Sequence, residues 1–345
     1  MPMERKAAVI AAPDAGFPAA MEAVPARPGT WDEYRAAWRE AEAGRVLTAH
    51  PLHLDLELVS LCNLKCSMCW QSTGVLDAPM GTMDDALFKT IIDRGVAQGL
   101  CAIKLQSRGE SMLHPRIGEL ARYAKAAGVM DVQLTTNGTL LGKPEKFETL
   151  AASGIDKVIF SIDEAHDASA RAIYGEDAPD VRTLALRFRE RRDALGAVLP
   201  KIRIQTFAPP GVTHDQRMAQ IQAEFPGFDE YLVNTLWNSN ALEDSIDNLS
   251  RDYDFLPCSY LWTRMVVYWN GDVTTCCRDY NCTMKLGNAG EDDIGSIWLG
   301  EPMMRLRRMH TDGRRRTIPI CAHCEVCTRP RAARSDATAQ QAASM

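Results

Sequence analysis

The sequence predicts an α/β fold, in which six parallel strands form a sheet with helices outside it, either open or curled into a partial barrel. Three observations lead to this prediction. Short apolar runs alternate with amphipathic stretches from His53 onward. Beyond about Ser250 cysteines become frequent and Gly and Asp turns appear, which indicates a small extension. The chain of 345 residues, 46% of them hydrophobic, is long enough for one large domain and this appendage.

The elements are expected in a regular order along the chain. Trp31 to Arg45 is predicted to be a short helix, because its aromatic residues recur at helical spacing. The strands are predicted at His53–Val59, Cys101–Gln106, Val129–Thr135, Lys157–Ile162, Lys201–Phe207 and Asp229–Thr235. The helices between them are predicted at Asp84–Gln98, Pro115–Ala127, Pro144–Ser153, Val181–Leu195 and His214–Phe225. In such sheets, ligands gather at the carboxyl ends of the strands.

The extension contains two further predicted elements. Tyr268 to Thr274 is expected to form a hairpin with Asn270-Gly271 at its turn, and Ile294–Met309 a helix. The domains expected from these patterns are an N-terminal extension, partly disordered, a core, a cysteine-rich domain and a disordered tail, at residues 1–48, 49–245, 246–330 and 331–345.

Composition and charge exclude several classes of protein. The net charge of −6 gives no global reason to expect a nucleic-acid partner, and no apolar run approaches the length of a membrane span. The apolar run Ala7–Ala12 is too short for a signal peptide. The 11 cysteines are an odd number, which argues against a disulfide framework. We therefore expect a cytoplasmic protein with reduced thiols that are available to metal.

Three of these cysteines lie within eight residues, directly after the first predicted strand. Cys62, Cys66 and Cys69 stand on a strand-to-helix loop, where their thiolates can hold one face of a cubane cluster. This arrangement leaves the fourth iron without a protein ligand, so that a small chelating molecule can bind it. A structural zinc site would instead require four protein ligands.

This spacing, with Met68 before the third cysteine, resembles the signature of the radical S-adenosylmethionine (SAM) superfamily. The resemblance implies a partial (β/α)6 barrel and a 4Fe–4S cluster on Cys62, Cys66 and Cys69. It also implies that the open iron chelates SAM and that one electron then releases a 5′-deoxyadenosyl radical.

Further SAM-binding residues are implied by the same resemblance. Gly109 and Glu110 match the end of the family's Gly-Gly-Glu segment, although Arg replaces the first Gly. Glu110 would face the SAM amino group, and the alternative is a solvated loop acid. Asn137, Ser161 and Asp163 stand where polar groups could hold the ribose or the carboxylate, and turn chemistry explains each of them equally well.

A second set of cysteines occupies the extension, at Cys258, Cys276, Cys277, Cys282, Cys321, Cys324 and Cys327. Separated cysteines followed by a C-x2-C pair resemble the SPASM/twitch extension, which binds auxiliary 4Fe–4S clusters. We expect the shorter twitch form, with one auxiliary cluster on Cys258, Cys276, Cys321 and Cys324. Cys277 is a candidate hydrogen-atom donor to a substrate radical. A zinc site stays open as the alternative, because C-x2-C also suits zinc.

The function most consistent with these features is hydrogen abstraction from a carbinol carbon of a small sugar-like or aminocyclitol-like substrate, which gives dehydrogenation or epimerisation. One alternative is a maturase that modifies a ribosomally made peptide. Another is a non-catalytic iron–sulfur or zinc protein. The arginines from Arg305 to Arg316 form either a solvated helix face or a docking patch for an acidic flavodoxin or ferredoxin, the expected reductant.

Overall fold

The computed structural model describes residues 23–24, 28–209, 211–235, 253–322, 324 and 328–330. The strands, β1 to β13, are Ala23–Val24, Leu47–Thr48, His53–Leu56, Ala102–Leu105, Asp131–Thr136, Lys157–Ser161, Lys201–Ala208, Glu230–Thr235, Tyr253–Phe255, Arg264–Val267, Asp272–Thr274, Gly287–Asn288 and Thr328–Pro330. The α-helices, α1 to α12, are Trp31–Glu42, Trp70–Thr73, Asp85–Gln98, Ile117–Ala127, Pro144–Ala151, Glu164–Tyr174, Val181–Ala194, His214–Glu224, Tyr260–Thr263, Ile294–Leu299, Glu301–Thr311 and Pro319–Ala322.

Nine of these strands form one sheet, in the order β12-β11-β10-β3-β4-β5-β6-β7-β8. The strands from β3 to β8 are parallel, as predicted, and each follows its neighbour in the chain. β10 adds a seventh parallel strand, with Arg264 opposite His53. β11 and β12 continue the sheet in antiparallel pairing. The core therefore has the α/β architecture of a partial barrel, and strands of the extension prolong its sheet.

The two faces of this sheet differ in chemistry. One face packs on the helices through buried apolar residues such as Leu54, Ile103, Leu134 and Phe160. The residues that alternate with them point the other way and are mostly polar. We call this second surface the inner face and define it by His53, Asp55, Lys104, Gln106, Asp131, Gln133, Thr135, Lys157, Arg203, Gln205, Glu230 and Arg264. A parallel sheet covered by apolar layers on both sides would lack this alternation.

Most predicted elements are present, and their ends lie within about three residues of the expected positions. The hairpin is also confirmed: Val266 pairs with Thr274, and Gly271 at its turn has a φ of +88°. The single helix expected over Ile294–Met309 is wrong. Two helices form instead, because Gly300 is extended and a proline follows in the first turn of the second helix.

Other expectations lie where the structure gives no description. The expected domain boundary at 245/246 falls within 236–252, outside the described residues. Most of the expected N-terminal extension up to residue 27 and all of the tail from 331 are likewise outside them, as is Cys327. The four-domain division therefore stays a prediction.

Candidate active site

The first cysteine loop joins β3 to α2, and Cys69 is the residue before the first turn of α2. The side chains of Cys62, Cys66 and Cys69 lie in one small patch with Leu64 and an alanine of α6. A backbone bond from the Cys69 N–H to the Cys66 carbonyl, 2.9 Å long, tightens the loop. The three thiols that the motif predicted are thus brought together at the carboxyl end of the first core strand.

Two N–H groups point at the sulfur of Cys62. The Leu64 backbone N–H is 3.5 Å from it, and the Asn137 side-chain amide is 3.8 Å from it. Burial raises the pKa of Cys62 to about 11 and that of Cys66 to about 12, so both thiols stay protonated in the absence of a metal. Iron–sulfur ligation replaces such protons, and N–H donors to the sulfurs tune the cluster. The residues present therefore fit a cluster.

The geometry is less suited to a single metal ion. Among the residues that the structure describes, no three His, Cys, Asp or Glu side chains are grouped closely enough to hold one ion. A zinc ion draws its four ligands to one point, at about 2.0–2.3 Å each. A cubane separates its thiolates, because each binds a different iron.

Glu110, one of the predicted SAM-binding residues, is buried and serves the structure of the site. One carboxylate oxygen accepts the Met112 N–H at 2.9 Å and the Thr136 hydroxyl at 2.8 Å. The other oxygen accepts the Asn137 N–H at 2.7 Å. Burial raises the pKa of Glu110. A carboxylate has about four acceptor positions, so three donors leave room for one more, such as an ammonium group.

Gly109 allows a close backbone approach. A Cβ at this position would lie 2.4 Å from the carbonyl oxygen of Val59 and 2.3 Å from that of Leu61. The Glu110 N–H donates to the same Leu61 carbonyl at 2.9 Å. Any side chain at Gly109 would therefore push the segment after β4 away from the cysteine loop.

Asn137 connects the end of β5 to the cysteine loop. Its side-chain N–H donates to the Asn63 side-chain oxygen at 3.0 Å, and its own oxygen accepts both donors of Thr139. Asn63 in turn donates to Thr139 at 2.7 Å and to Tyr174 at 3.1 Å. Asn137 therefore lies beside Cys62, whereas the contributions of Asn63 and Tyr174 were not predicted.

Ser161 is the last residue of β6, and Asp163 directly precedes α6. Asp163 is buried, and one of its oxygens accepts the His166 N–H at 3.1 Å. A cavity of about 530 Å³ reaches Asp163 and Ala170, within the size range of small-molecule sites. Ser169 of α6 accepts the Lys65 N–H at 2.6 Å, which fixes the middle of the cysteine loop. Helix α6 was not predicted from the sequence, so Ser169 was missed.

The second cysteine set is drawn from three separate segments. Cys258 and Cys276 lie close enough to interact electrostatically, and so do Cys321 and Cys324. Arg315 is buried and joins two of these segments. It donates to the Leu256 carbonyl at 2.8 Å and to the Cys324 carbonyl at 2.6 Å.

The segment that contains Cys276 has its own internal support. The carboxylate of Asp279 accepts four hydrogen bonds of 2.6–2.8 Å from the hydroxyl of Thr274, both donors of Thr283 and the Met284 N–H. His310 supports the Cys258 segment, since its Nδ1 accepts the Cys258 N–H at 3.1 Å. Burial lowers the pKa of His310 to about 3, which keeps this ring neutral. The proposed auxiliary site is thus assembled from distant segments.

The other cysteines have different surroundings. Cys277 lies near inner-face residues Asp55 and Arg264, and a hydrogen bond with Cys276 lowers its pKa. Cys282 has a φ of +52°, unusual for a residue with a side chain. Cys101 is buried as a small apolar residue.

The two cysteine regions contact each other directly. The rings of Trp70 and Tyr280 stack with centroids 5.5 Å apart. Arg108 forms a buried ion pair with Glu57 at 2.5 Å and also donates to the Tyr280 carbonyl at 3.0 Å. Asn281 donates to a carbonyl in the segment after α2. The arginine that replaces the first Gly of the Gly-Gly-Glu segment thus fastens the extension to the core.

The fold and the site define an enzyme class in which a cysteine loop at the end of the first strand of an α/β core carries a 4Fe–4S cluster. Residues 56–218 match the Radical SAM superfamily, and residues 258–325 match the SPASM iron–sulfur cluster-binding domain. The chain is therefore a radical SAM enzyme with a C-terminal SPASM domain, and its cofactors are 4Fe–4S clusters and SAM.

Individual relatives are more distant. The AdoMet-dependent heme synthase of Methanosarcina barkeri is 38% identical over 40% of the chain, which spans only 39% of that protein. The S-adenosyl-L-methionine-dependent 2-deoxy-scyllo-inosamine dehydrogenase of Niallia circulans is 22% identical over 79% of the chain and 91% of its own length. The crystal structure of BtrN in complex with AdoMet and 2-DOIA superposes with a TM-score of 0.54 at 20% identity, over 79% of this chain and 92% of that one. This last likeness concerns the fold.

Two surface features complete the description. In the part of the chain that the structure covers, no helix has both the length and the apolar character needed to cross a membrane. The arginine run from Arg305 to Arg316 is divided between two environments. Arg307 and Arg315 are buried and bind backbone carbonyls, whereas Arg305, Arg314 and Arg316 are exposed.

Proposed function

We propose that this radical SAM enzyme is an oxidoreductase that abstracts hydrogen from a carbinol carbon of a small polar molecule, of the sugar or aminocyclitol type. The observation that carries the proposal is the polar inner face of the sheet. Its amide and hydroxyl groups, such as Gln106, Gln133 and Thr135, are partly accessible and can bind a hydroxylated molecule. Thr135 donates to Gln106 and Gln133 donates to Asp131, so an apolar substrate would leave only their remaining donors and acceptors without hydrogen bonds, which costs free energy.

The similarity to the 2-deoxy-scyllo-inosamine dehydrogenase supports the same class of substrate. That match, at 22% identity, extends over 79% of this chain and 91% of the relative. It supports the type of reaction, while the particular substrate stays open. The bound cluster and SAM supply a 5′-deoxyadenosyl radical, and the role of the chain is to hold the substrate C–H bond toward it.

Two outcomes differ in how the substrate radical is resolved. In a dehydrogenation, the carbinol would lose one hydrogen atom to the adenosyl radical, its hydroxyl proton to solvent and one electron to an auxiliary cluster that Cys258, Cys276, Cys321 and Cys324 would hold, which leaves a carbonyl. In an epimerisation, a thiol would donate its hydrogen atom to the opposite face of the carbon radical, and the thiyl radical left behind would take one electron from the flavodoxin or ferredoxin reductant and one proton from solvent. Cys277 is the candidate thiol, because it lies near Asp55 and Arg264 of the inner face.

Isotope transfer tests this proposal. Candidate sugars and cyclitols labelled with deuterium at one carbinol carbon are incubated with the anaerobically reconstituted enzyme, SAM and a reductant. The 5′-deoxyadenosine formed should gain one deuterium from the substrate that the enzyme accepts, as mass spectrometry would detect. A carbonyl product that forms equally well with Cys277→Ala indicates dehydrogenation. An inverted product that contains solvent hydrogen and requires Cys277 indicates epimerisation.

The same experiment includes the main alternative. If a precursor peptide transfers deuterium to 5′-deoxyadenosine and no sugar or cyclitol does so, the enzyme is a peptide maturase and the proposal is wrong.

An acidic flavodoxin or ferredoxin is the reductant that we propose. The exposed guanidinium groups of Arg305 and Arg316 are not in ion pairs with described residues, so they can meet an acidic partner. The buried Arg307 and Arg315 take no part in this surface.

A further inference from the structure

The charges of the inner face are arranged in pairs. Asp55 lies 3.1 Å from His53 and 3.8 Å from Arg264. Glu230 binds Lys157 at 2.8 Å and also pairs with Arg203. Each of these two carboxylates therefore has a partner on the face itself.

The third carboxylate of the face is also occupied. Asp131 accepts a hydrogen bond of 2.6 Å from the Gln133 amide. Of the four lysine and arginine side chains on the inner face, three pair with carboxylates, namely Lys157, Arg203 and Arg264.

Lys104 is the exception. No described side chain or carbonyl lies within hydrogen-bond or ion-pair distance of its ammonium group, although Asp55 is its register partner on β3. The charges that act on it come from Asp55, Arg264, Cys277 and Arg203, two of which are cations. Burial lowers its pKa to about 8, so Lys104 is still mostly a cation at neutral pH.

Lys104 is half-buried, so its ammonium group is within reach of a ligand, and an anion bound there would gain a charge-assisted hydrogen bond. Lys104 lies on the middle strand of the row Asp55, Lys104, Gln133, so its neighbours can bind hydroxyl groups at the same time. Its proximity to Cys277 places it on the side of the inner face that meets the second cysteine set.

We propose that Lys104 binds an anionic group of the substrate, so that the substrate is a polyol-like molecule with a carboxylate or a phosphate rather than an amine. This inference rests on the proposed function and makes it more specific. An aminocyclitol would bring a second ammonium group close to Lys104 and Arg264, which is unfavourable.

The test compares three small probes on the reconstituted holoenzyme by isothermal titration calorimetry: D-glucuronate, D-glucose 6-phosphate and D-glucosamine. At least one of the two anions should have a Kd about tenfold or more lower than that of glucosamine. Whether glucuronate or glucose 6-phosphate binds more tightly then shows whether the site prefers a carboxylate or a phosphate. Lys104→Gln should lower the affinity for that anion by about tenfold or more, since a charge-assisted hydrogen bond is lost. The affinity for glucosamine should stay unchanged. Lys104→Arg should restore most of the affinity.

Lys157→Gln is the matched control, because this lysine is on the same face but already bound by Glu230. This variant should bind the three probes in the same order of affinity as the wild type. Substrate-independent cleavage of SAM by Lys104→Gln should equal that of the wild type, which shows an intact fold and cluster. The inference is overturned if neither anion binds better than glucosamine, or if Lys104→Gln and Lys157→Gln have the same effect.

Failure of the inference about Lys104 gives a different result from failure of the proposed function. Deuterium transfer from an amino sugar without any preference for anions would overturn only the role of Lys104. Anion binding that depends on Lys104, without deuterium transfer from any carbinol carbon, would overturn the proposed function and leave the anion site in place.

Discussion

The two cysteine regions of this enzyme are built in opposite ways. Cys62, Cys66 and Cys69 lie on one short loop, which contacts such as the hydrogen bond from Lys65 to Ser169 of α6 hold in place. Cys258, Cys276 and the Cys321–Cys324 pair come from three segments that are far apart in the chain, and buried groups such as Arg315 join them. The first region is a local motif, and the second exists only after the chain has folded.

This difference has consequences for both recognition and stability. A local motif keeps its ligand spacing even when the surrounding structure loosens, so its chemistry can be read from the sequence. A site assembled from distant segments depends on the connecting groups as much as on its ligands. Three predictions test this comparison.

The largest effect is expected from the first loop. Replacing Cys62, Cys66 and Cys69 together with Ala should abolish SAM cleavage and lower the iron content by about half, from about eight iron atoms per chain. Iron and sulfide analysis and the amount of 5′-deoxyadenosine measure the two effects. Cys101→Ala is the matched control: it removes a buried thiol that belongs to neither set, and it should keep both clusters. An unchanged iron content in the triple variant would refute the assignment of the first cluster.

An intermediate effect is expected from the second set. Cys321→Ser combined with Cys324→Ser should remove the auxiliary iron and stop product formation, whereas SAM cleavage without substrate continues. Circular dichroism checks that the variant keeps its native fold, because metal binding supplies part of the folding free energy of a small metal-bound region. A natively folded variant with normal product formation would show that this pair is dispensable.

The smallest effect is expected from the group that connects the segments. Arg315→Gln removes the bonds to the Leu256 and Cys324 carbonyls, which should lower the free energy of unfolding by about 2–4 kcal/mol. The auxiliary cluster should also be lost faster than the first when a chelator is added. The exposed neighbour Arg316→Gln should change neither the melting temperature nor the rate of iron loss. Equal effects of the two variants would mean that Arg315 does not join the segments.

Much of the core could be predicted because its signals are local. Each core strand is a run of four to eight residues between amphipathic helices, and runs of that length favour strands over helices. The cysteine loop was predicted for the same reason. Helix α6 was missed because its residues, Glu164–Tyr174, are mostly small or polar, and the only large apolar side chains, Ile173 and Tyr174, lie at its end.

Long-range features were harder to predict. Nothing in Arg264–Val267 specifies that it pairs with His53–Leu56, more than 200 residues earlier in the chain. The polar inner face did leave a signal, since Asp55, Lys104 and Gln133 alternate with apolar neighbours along their strands. That period of two is typical of a sheet with one apolar face, and we read the runs only for their hydrophobic content.

The pairing of β10 with β3 also bears on how the chain avoids self-association. β3 would be an edge strand of the core sheet without β10, and its backbone N–H and C=O groups would be open to pairing with another molecule. Arg264–Val267 occupies that position, and β12, only two residues long, then forms the outer edge. The cysteine-rich region therefore also protects the edge of the core sheet from pairing with another molecule. This structural role does not depend on its metal.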